Sequence, residues 1–187
     1  MNTPSDEECN HLFHETGMLD HIIDHSRQVC RVATFLTDQL RKNDILLNRK
    51  LIIAGALLHD ITKTRSFDTG EDHTRTGEEL LVDLGYHEVG KIVGQHVTLD
   101  TYFLSDIPDE AEIVNYADKR VLHDRIVSMD KRMKYILERY CQNPDHHRQL
   151  QRLWDISRKM EKRIFRHLPF SPEELKQQMT SILDQTH

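Results

Sequence analysis

The sequence predicts an all-α fold. Three observations carry this. Apolar residues recur at helical spacing along nearly all of the 187 residues. No stretch alternates with the period of two that a half-buried strand needs. Only seven Gly and five Pro interrupt the pattern. The first long helix is expected over 18–41, where Met18, Ile22, Val29, Val32, Leu36 and Leu40 share a stripe. Asn43 and Asn48 bracket a short connection. Residues 49–62 form a second helix that is apolar on most sides, as a central helix would be. The turn formers in TRSFDTGED, 64–72, read as a loop. A helix over 73–84 stops at Gly85, and another spans 87–96. After a loop through Pro108, Asp109 caps a helix from 110 to about 124. A further helix runs over 129–141. Asn143-Pro144 then punctuates the chain, and a long charged helix reaches 167. Ser171-Pro172-Glu173-Glu174 is a capping box with Pro at the first helical position, so a last helix begins there. The bundle therefore has about seven or eight helices.

Length fits one domain of ordinary size, read as an N-terminal segment (1–16), a main domain (17–142) and a C-terminal helical extension (143–187). The charged tail helix either folds back on the domain or supports a homodimer. Twenty-five Lys and Arg against 31 Asp and Glu leave a net charge of −6, which argues against a general nucleic-acid or membrane-surface binder. The longest apolar run, Leu51–Leu58, is far short of the roughly 20 residues of a membrane span. The polar, acidic start has no signal-peptide pattern. Cys9, Cys30 and Cys141 are odd in number and form no CxxC, as free thiols of a reducing compartment do, so a cytoplasmic location is expected. Cys30, among Val29, Val32 and Ala33, reads as a small core residue.

Thirteen of the residues are His. His59-Asp60 ends the apolar helix LIIAGALLHDITK, where burial of both is costly unless something pairs with them. The pair either caps the helix C-terminus or binds a metal. His25 shares a core-facing stripe with Ile22 and Val29, with His21 one turn earlier. His73 opens the helix after the loop, His96 closes VGKIVGQH, and Asp118 sits in IVNYADKRV. Each has a bland reading as a satisfied core residue or cap. Together they offer four imidazoles and two carboxylates, enough for a transition-metal site.

The order His25 … His59-Asp60 … Asp118 resembles the H…HD…D signature of the HD-domain metal-dependent phosphohydrolase superfamily. His73 and His96 between them, the HxxxGxxLL form in HTRTGEELL and the near-HDIGK form HDITK resemble its binuclear subset. The likeness covers 18 to about 125 and implies an HD-domain helical bundle. It also implies that His25, His59, Asp60 and Asp118 hold one metal. Asp60 would bridge to a second, also held by His73 and His96, with a water or hydroxide between the ions. Lys63 would contact a substrate phosphate. His21 matches no ligand of the signature. In part the motifs resemble bacterial HD proteins that cleave dinucleoside tetraphosphates. QHVTLDTYF lacks the GYP signature of the cyclic-dinucleotide branch, and Ile61-Thr62-Lys63 replaces the acidic pair of the (p)ppGpp branch.

The expected activity is metal-dependent hydrolysis of a phosphoester or phosphoanhydride in a small phosphorylated metabolite, such as a nucleotide or dinucleoside polyphosphate. Imidazole-rich ligation favours Fe or Mn, with Co, Ni and Zn compatible, over Mg. Asp60 and Lys63 are the expected catalytic residues, and Lys63, Lys119, Arg120 and Arg75 the expected phosphate-binding cations, with Arg65 a weaker candidate. Tyr102 and Phe103 are candidates to stack on a base. The remaining histidines have no partner at ligand spacing. Two other functions use the same ligands: a mixed-valent di-iron oxygenase, and a non-catalytic metal-binding module.

Overall fold

The computed structural model describes residues 2–100, 103, 105–141 and 144–184; Tyr102 and Asn143 lie outside them. Among the described residues the fold is all-α apart from one two-stranded hairpin. Helix α1 (Asp6–Glu15) starts at a capping box between Ser5 and Glu8 and buries Cys9, Leu12 and Phe13. Helix α2 (Asp20–Arg41) buries its long stripe, His25 included, against α3 (Arg49–Leu58), which Asn48 caps and which is buried on most sides. Helices α4 (Lys63–Thr69), α5 (His73–Asp83) and α6 (His87–Gly94) follow, with α5 and α6 packed on one another. Helix α7 (Glu110–Lys119) begins at the Asp109–Glu112 capping box and packs on α2, α3 and α6. Strands β1 (Val121–Leu122) and β2 (Arg125–Ile126) pair antiparallel. Helices α8 (Met129–Tyr140), α9 (Pro144–Phe165) and α10 (Leu175–Asp184) complete the chain, α10 being preceded by a 3₁₀ turn over Pro172–Glu174.

Ten α-helices are therefore described, against the seven or eight expected. The surplus is α1 and α4. The segment 64–72, expected as a loop, is mostly helical because Gly70, at φ 68°, places its turn chemistry at the helix end rather than inside it. The helix expected to reach 124 stops at Lys119, where the chain turns into the hairpin. No helix among the described residues is long and apolar enough to cross a membrane.

One buried apolar cluster runs through the bundle. Leu36 of α2, Ile52 and Leu58 of α3 and Ile113 of α7 meet Trp154, Met160 and Ile164 of α9 and Leu175 of α10. Each such side chain contributes roughly 1.5–3 kcal/mol through burial. Two buried arginines fasten the C-terminal helices to this cluster. Arg120 donates to the Val127 and Pro172 carbonyls, the Tyr116 hydroxyl and Glu161. Arg163 pairs with Glu112 and donates to the carbonyls of Ser105 and Ile107.

Candidate metal centre

The ends of four helices and the body of a fifth converge on one cluster. His25 comes from the second turn of α2, His59 and Asp60 follow the last turn of α3, and His73 opens α5. His96 follows α6, and Asp118 sits in the last turn of α7. His59 is fully buried, and His25, Asp60 and His96 are also buried. The position of each ring is set locally. Asp72 caps α5 by accepting from the Thr74 amide, which fixes the turn that presents His73. Gly77, one turn on, lets α5 approach α6. A Cβ there would lie 2.9 Å from Val93 Cγ1, so larger side chains would push His73 away from His96.

Three of the four imidazoles have one nitrogen committed to the backbone. His25 Nδ1 bonds the His123 carbonyl at 2.8 Å, His59 Nδ1 the Ala56 carbonyl at 2.8 Å, and His96 Nδ1 the Val93 carbonyl at 2.7 Å. In the neutral ring this donation leaves Nε2 as a lone-pair donor, and all three Nε2 atoms point into the cluster. They meet carboxylate oxygens there, and His96 Nε2 also lies 3.3 Å from His73 Nε2. His25 Nε2 lies 3.0 Å and His59 Nε2 3.8 Å from Asp118 Oδ1. His59 Nε2 lies 3.5 Å from Asp60 Oδ2, while His73 and His96 Nε2 lie 3.2 and 3.4 Å from Asp60 Oδ1.

Electron-pair donors at these separations fit a cation. Two ligands about 2.0–2.2 Å from one ion stand roughly 3.0–3.5 Å apart in octahedral or tetrahedral geometry. Within His25, His59 and Asp118, and within His59, Asp60 and His96, the ligand atoms all lie within 4.8 Å of one another. His59 Nε2 and Asp60 Oδ1 are buried and make no hydrogen bond, a costly arrangement that a positive ion relieves. The residues therefore fit a divalent cation.

The electrostatics agree. Burial would raise the Asp60 pKa, but His59, His73 and His96 outweigh it and hold the carboxyl well below the usual carboxylate range. At Asp118 burial is likewise outweighed, by His25, Arg132 and His59. Burial pushes the His96 imidazole down. At His59 the two carboxylates overcome burial and push it up. The cluster thus holds two ionised carboxylates that attract positive charge.

A match to a family described as HD domain covers residues 22–121, which hold all six of these side chains. The chain belongs to the HD-domain family. Two curated relatives, each a tRNA (cytidine(56)-2'-O)-methyltransferase, are 29% identical to it. The one from Picrophilus torridus matches 73% of this chain and 41% of its own length, the one from Thermoplasma volcanium 70% and 39%. The chain thus spans about two-fifths of these relatives. No solved structure matches it.

The expected cations of this HD domain are placed unequally. Lys63 sits over the centre, with Nζ 3.0 Å from His73 Nε2 and 3.8 Å from Asp60 Oδ1. Lys119 borders the same space, and burial lowers its pKa to about 8. An ammonium has three donors. Those of Lys119 reach Asn115 Oδ1 (2.6 Å) and the Asn115 and His96 carbonyls (3.2 Å each), which leaves none for a phosphate. Arg120 is turned into the network that fastens α9 and α10, not towards the centre. Arg75 stands about 200° around the helix from His73 and pairs with Glu79 at 3.3 Å in solvent. Arg65 pairs with Glu71 at 2.6 Å, also in solvent. Phe103 lies beneath Arg163, away from the centre. His21 lines an adjoining cavity with His25 and Lys63.

Two residues carry roles that sequence patterns did not reveal. Arg132 of α8 reaches back over the centre, NH2 3.6 Å from Asp118 Oδ1, and its buried Nε makes no hydrogen bond. It lines both cavities that open on Asp60 and Lys63. His123, in the left-handed conformation at the hairpin tip, supplies the carbonyl that orients His25. Neither sits at a spacing that marks it.

Proposed function

We propose that this HD domain is a metal-dependent phosphohydrolase acting on a small phosphorylated metabolite, with a nucleotide or dinucleoside polyphosphate as the expected class. The observation that carries the count of two metals is the split of Asp60. Its Oδ2 faces His59 and its Oδ1 faces His73 and His96. One carboxylate placed in this way suits a bridge. His25, His59 and Asp118 complete one site, and His73 and His96 the other. Fe or Mn suits this imidazole-rich set.

Bound divalent ions would neutralise phosphate charge and bring the pKa of coordinated water towards 7. The chain's own residues do the rest. Lys63 and Arg132 flank the opening above Asp60 and Asp118 and supply fixed positive charge for the phosphoryl oxygens, Arg132 with a planar fork suited to two of them. The Nδ1–H bonds of His25, His59 and His96 fix the rings, so little reorganisation is needed when charge develops. Residues 17–142 form the catalytic unit in this proposal, with 1–16 and 143–187 as additions to it. An odd count of three cysteines with no CxxC pair suits a cytoplasmic setting. Methyl transfer is not carried over from the relatives, because the shared stretch is a minority of their length and the His/Asp cluster suits hydrolysis.

The test is metal analysis of anaerobically purified protein, followed by phosphate release from a panel of nucleotides and phosphomonoesters with added Mn²⁺ or Fe²⁺. Two transition ions per chain and phosphate release without O₂ uptake are expected. No release with any ion overturns the hydrolase reading, and O₂ consumption with substrate loss would make it an oxygenase.

A further inference from the structure

The cavity over the centre has two unlike halves. At one end stand Asp60, His96 and Asp118 with Lys63 and Arg132. At the other, α8 and α9 line it with Met133, Ile136, Leu150, Leu153 and Trp154. A site for a bare phosphate, or for a sugar phosphate with many hydroxyls, has no use for such a wall. The hydroxyls would lose their water with nothing to replace it. The hydroxyl in this wall, Ser157 Oγ, already donates to the Leu153 carbonyl at 2.8 Å. The volume is about 210 Å³. An apolar cavity of about 150 Å³ is known to take benzene, so this one accommodates a single ring system with part of its linker.

We propose that this cavity is a specificity pocket for the organic part of the substrate. In this assignment an aromatic or heteroaromatic ring stacks on Trp154 while its phosphate lies against Lys63 and Arg132. The proposal rests on the phosphohydrolase reading for the phosphate end alone. Apart from the Trp154 indole N–H, the wall offers shape and a π face without a spare hydrogen-bond donor, so recognition is chiefly by stacking. Purine and pyrimidine rings are accepted within a few-fold of one another, whereas an ester without a ring is bound poorly.

Trp154 is the single tryptophan of the chain, so its emission reports on the pocket directly. The probe is phenylphosphonate, which carries the ring and the charge but has no ester bond to cleave, with methylphosphonate as the ringless control. Both are titrated into the full chain supplied with Zn²⁺, a closed-shell ion. Phenylphosphonate should change Trp154 emission saturably, at a concentration at least about ten-fold below that needed for methylphosphonate. By calorimetry Trp154→Leu should weaken phenylphosphonate about ten-fold and leave methylphosphonate unchanged, and Trp154→Phe should restore most of the loss. Circular dichroism checks the fold of both variants, and if Trp154→Leu does not fold, the phenylalanine variant and the wild-type titration decide.

Equal binding of the two phosphonates, or no emission change with either, overturns the pocket whatever the phosphate-release assay shows. An emission change with phenylphosphonate in a protein that releases no phosphate from any ester keeps the pocket and removes the hydrolase reading.

Discussion

Asp60→Ala removes the side chain whose two oxygens face different imidazoles. It should strip both metals and abolish turnover, read by metal analysis and phosphate release; retention of two ions per chain would show that Asp60 is no bridge. His96→Ala should lose one ion, because Asp118, His25 and His59 remain as a set. Lys63→Ala and Arg132→Ala should leave metal content unchanged and lower kcat/KM by about ten- to a hundred-fold each, the scale of a charge-assisted bond of roughly 1.5–3 kcal/mol. Full activity in either variant would remove that residue from the phosphate site. At this scale the cluster was readable because five of its members stand at helix ends beside apolar residues and His25 lies on a core-facing stripe, places where a His or Asp stands out. Arg132 was not, since in MDKRMKYILER it is one of many charges on an amphipathic helix. Only the path of α8 back across the centre distinguishes it from Lys131 or Lys134. Lys119 and Arg120 misled for the opposite reason. They follow Asp118 directly, but successive helical residues diverge by about 100°, and both are spent on structure.

Helix α5 shows how an element sets a ligand. Asp72 accepts from Thr74, so Asp72→Ala should cost about 1 kcal/mol through loss of the cap. In a chain of this size that lowers Tm by about 2–4 °C. Gly77→Ala places a Cβ 2.9 Å from Val93 Cγ1, in a buried contact with α6. Overpacking of this kind costs about 1–3 kcal/mol, and the double variant Gly77→Ala/Val93→Ala should recover part of the loss in thermal unfolding. No recovery would mean that the contact with Val93 is not what limits the approach. The cap at Asp109 and the stop at Gly85 are local signals, and those helix ends fall where the signals stand, whereas Ser171 opens a 3₁₀ turn and α10 itself starts four residues later, at Leu175. Helix α4 and the hairpin are different. Seven residues ending at Thr69, just before Gly70, carry too short a period to separate from a loop. Strands of two residues have no alternation to detect, being held by the turn at His123 and by packing against α2 and α7.

At the scale of the molecule, α9 and α10 are held by charges as well as by apolar area. Arg120 is almost fully buried and joins four parts of the chain: Tyr116 on α7, the Val127 carbonyl after the hairpin, Glu161 on α9 and the Pro172 carbonyl before α10. No pattern along the chain reveals this, because its partners lie 41 and 52 residues away. Removing one member of a buried, hydrogen-bonded pair costs about 3–5 kcal/mol, since the other is left without a partner. Arg120→Ala removes the buried donor to the Val127 and Pro172 carbonyls and leaves Glu161 with the Tyr116 hydroxyl (2.6 Å) as its remaining donor. At about 2–4 °C per kcal/mol, Tm should fall by about 6–20 °C. Because α9 carries Leu150, Leu153 and Trp154, a loosened α9 should also weaken phenylphosphonate binding at temperatures where α2, α3 and α7 still hold metal. The paired readout is Trp154 emission against metal content along a thermal ramp. Wild type should lose both together, and Arg120→Ala should lose emission first. Loss of both at one temperature in the variant would mean that the C-terminal helices and the metal centre unfold as one cooperative unit.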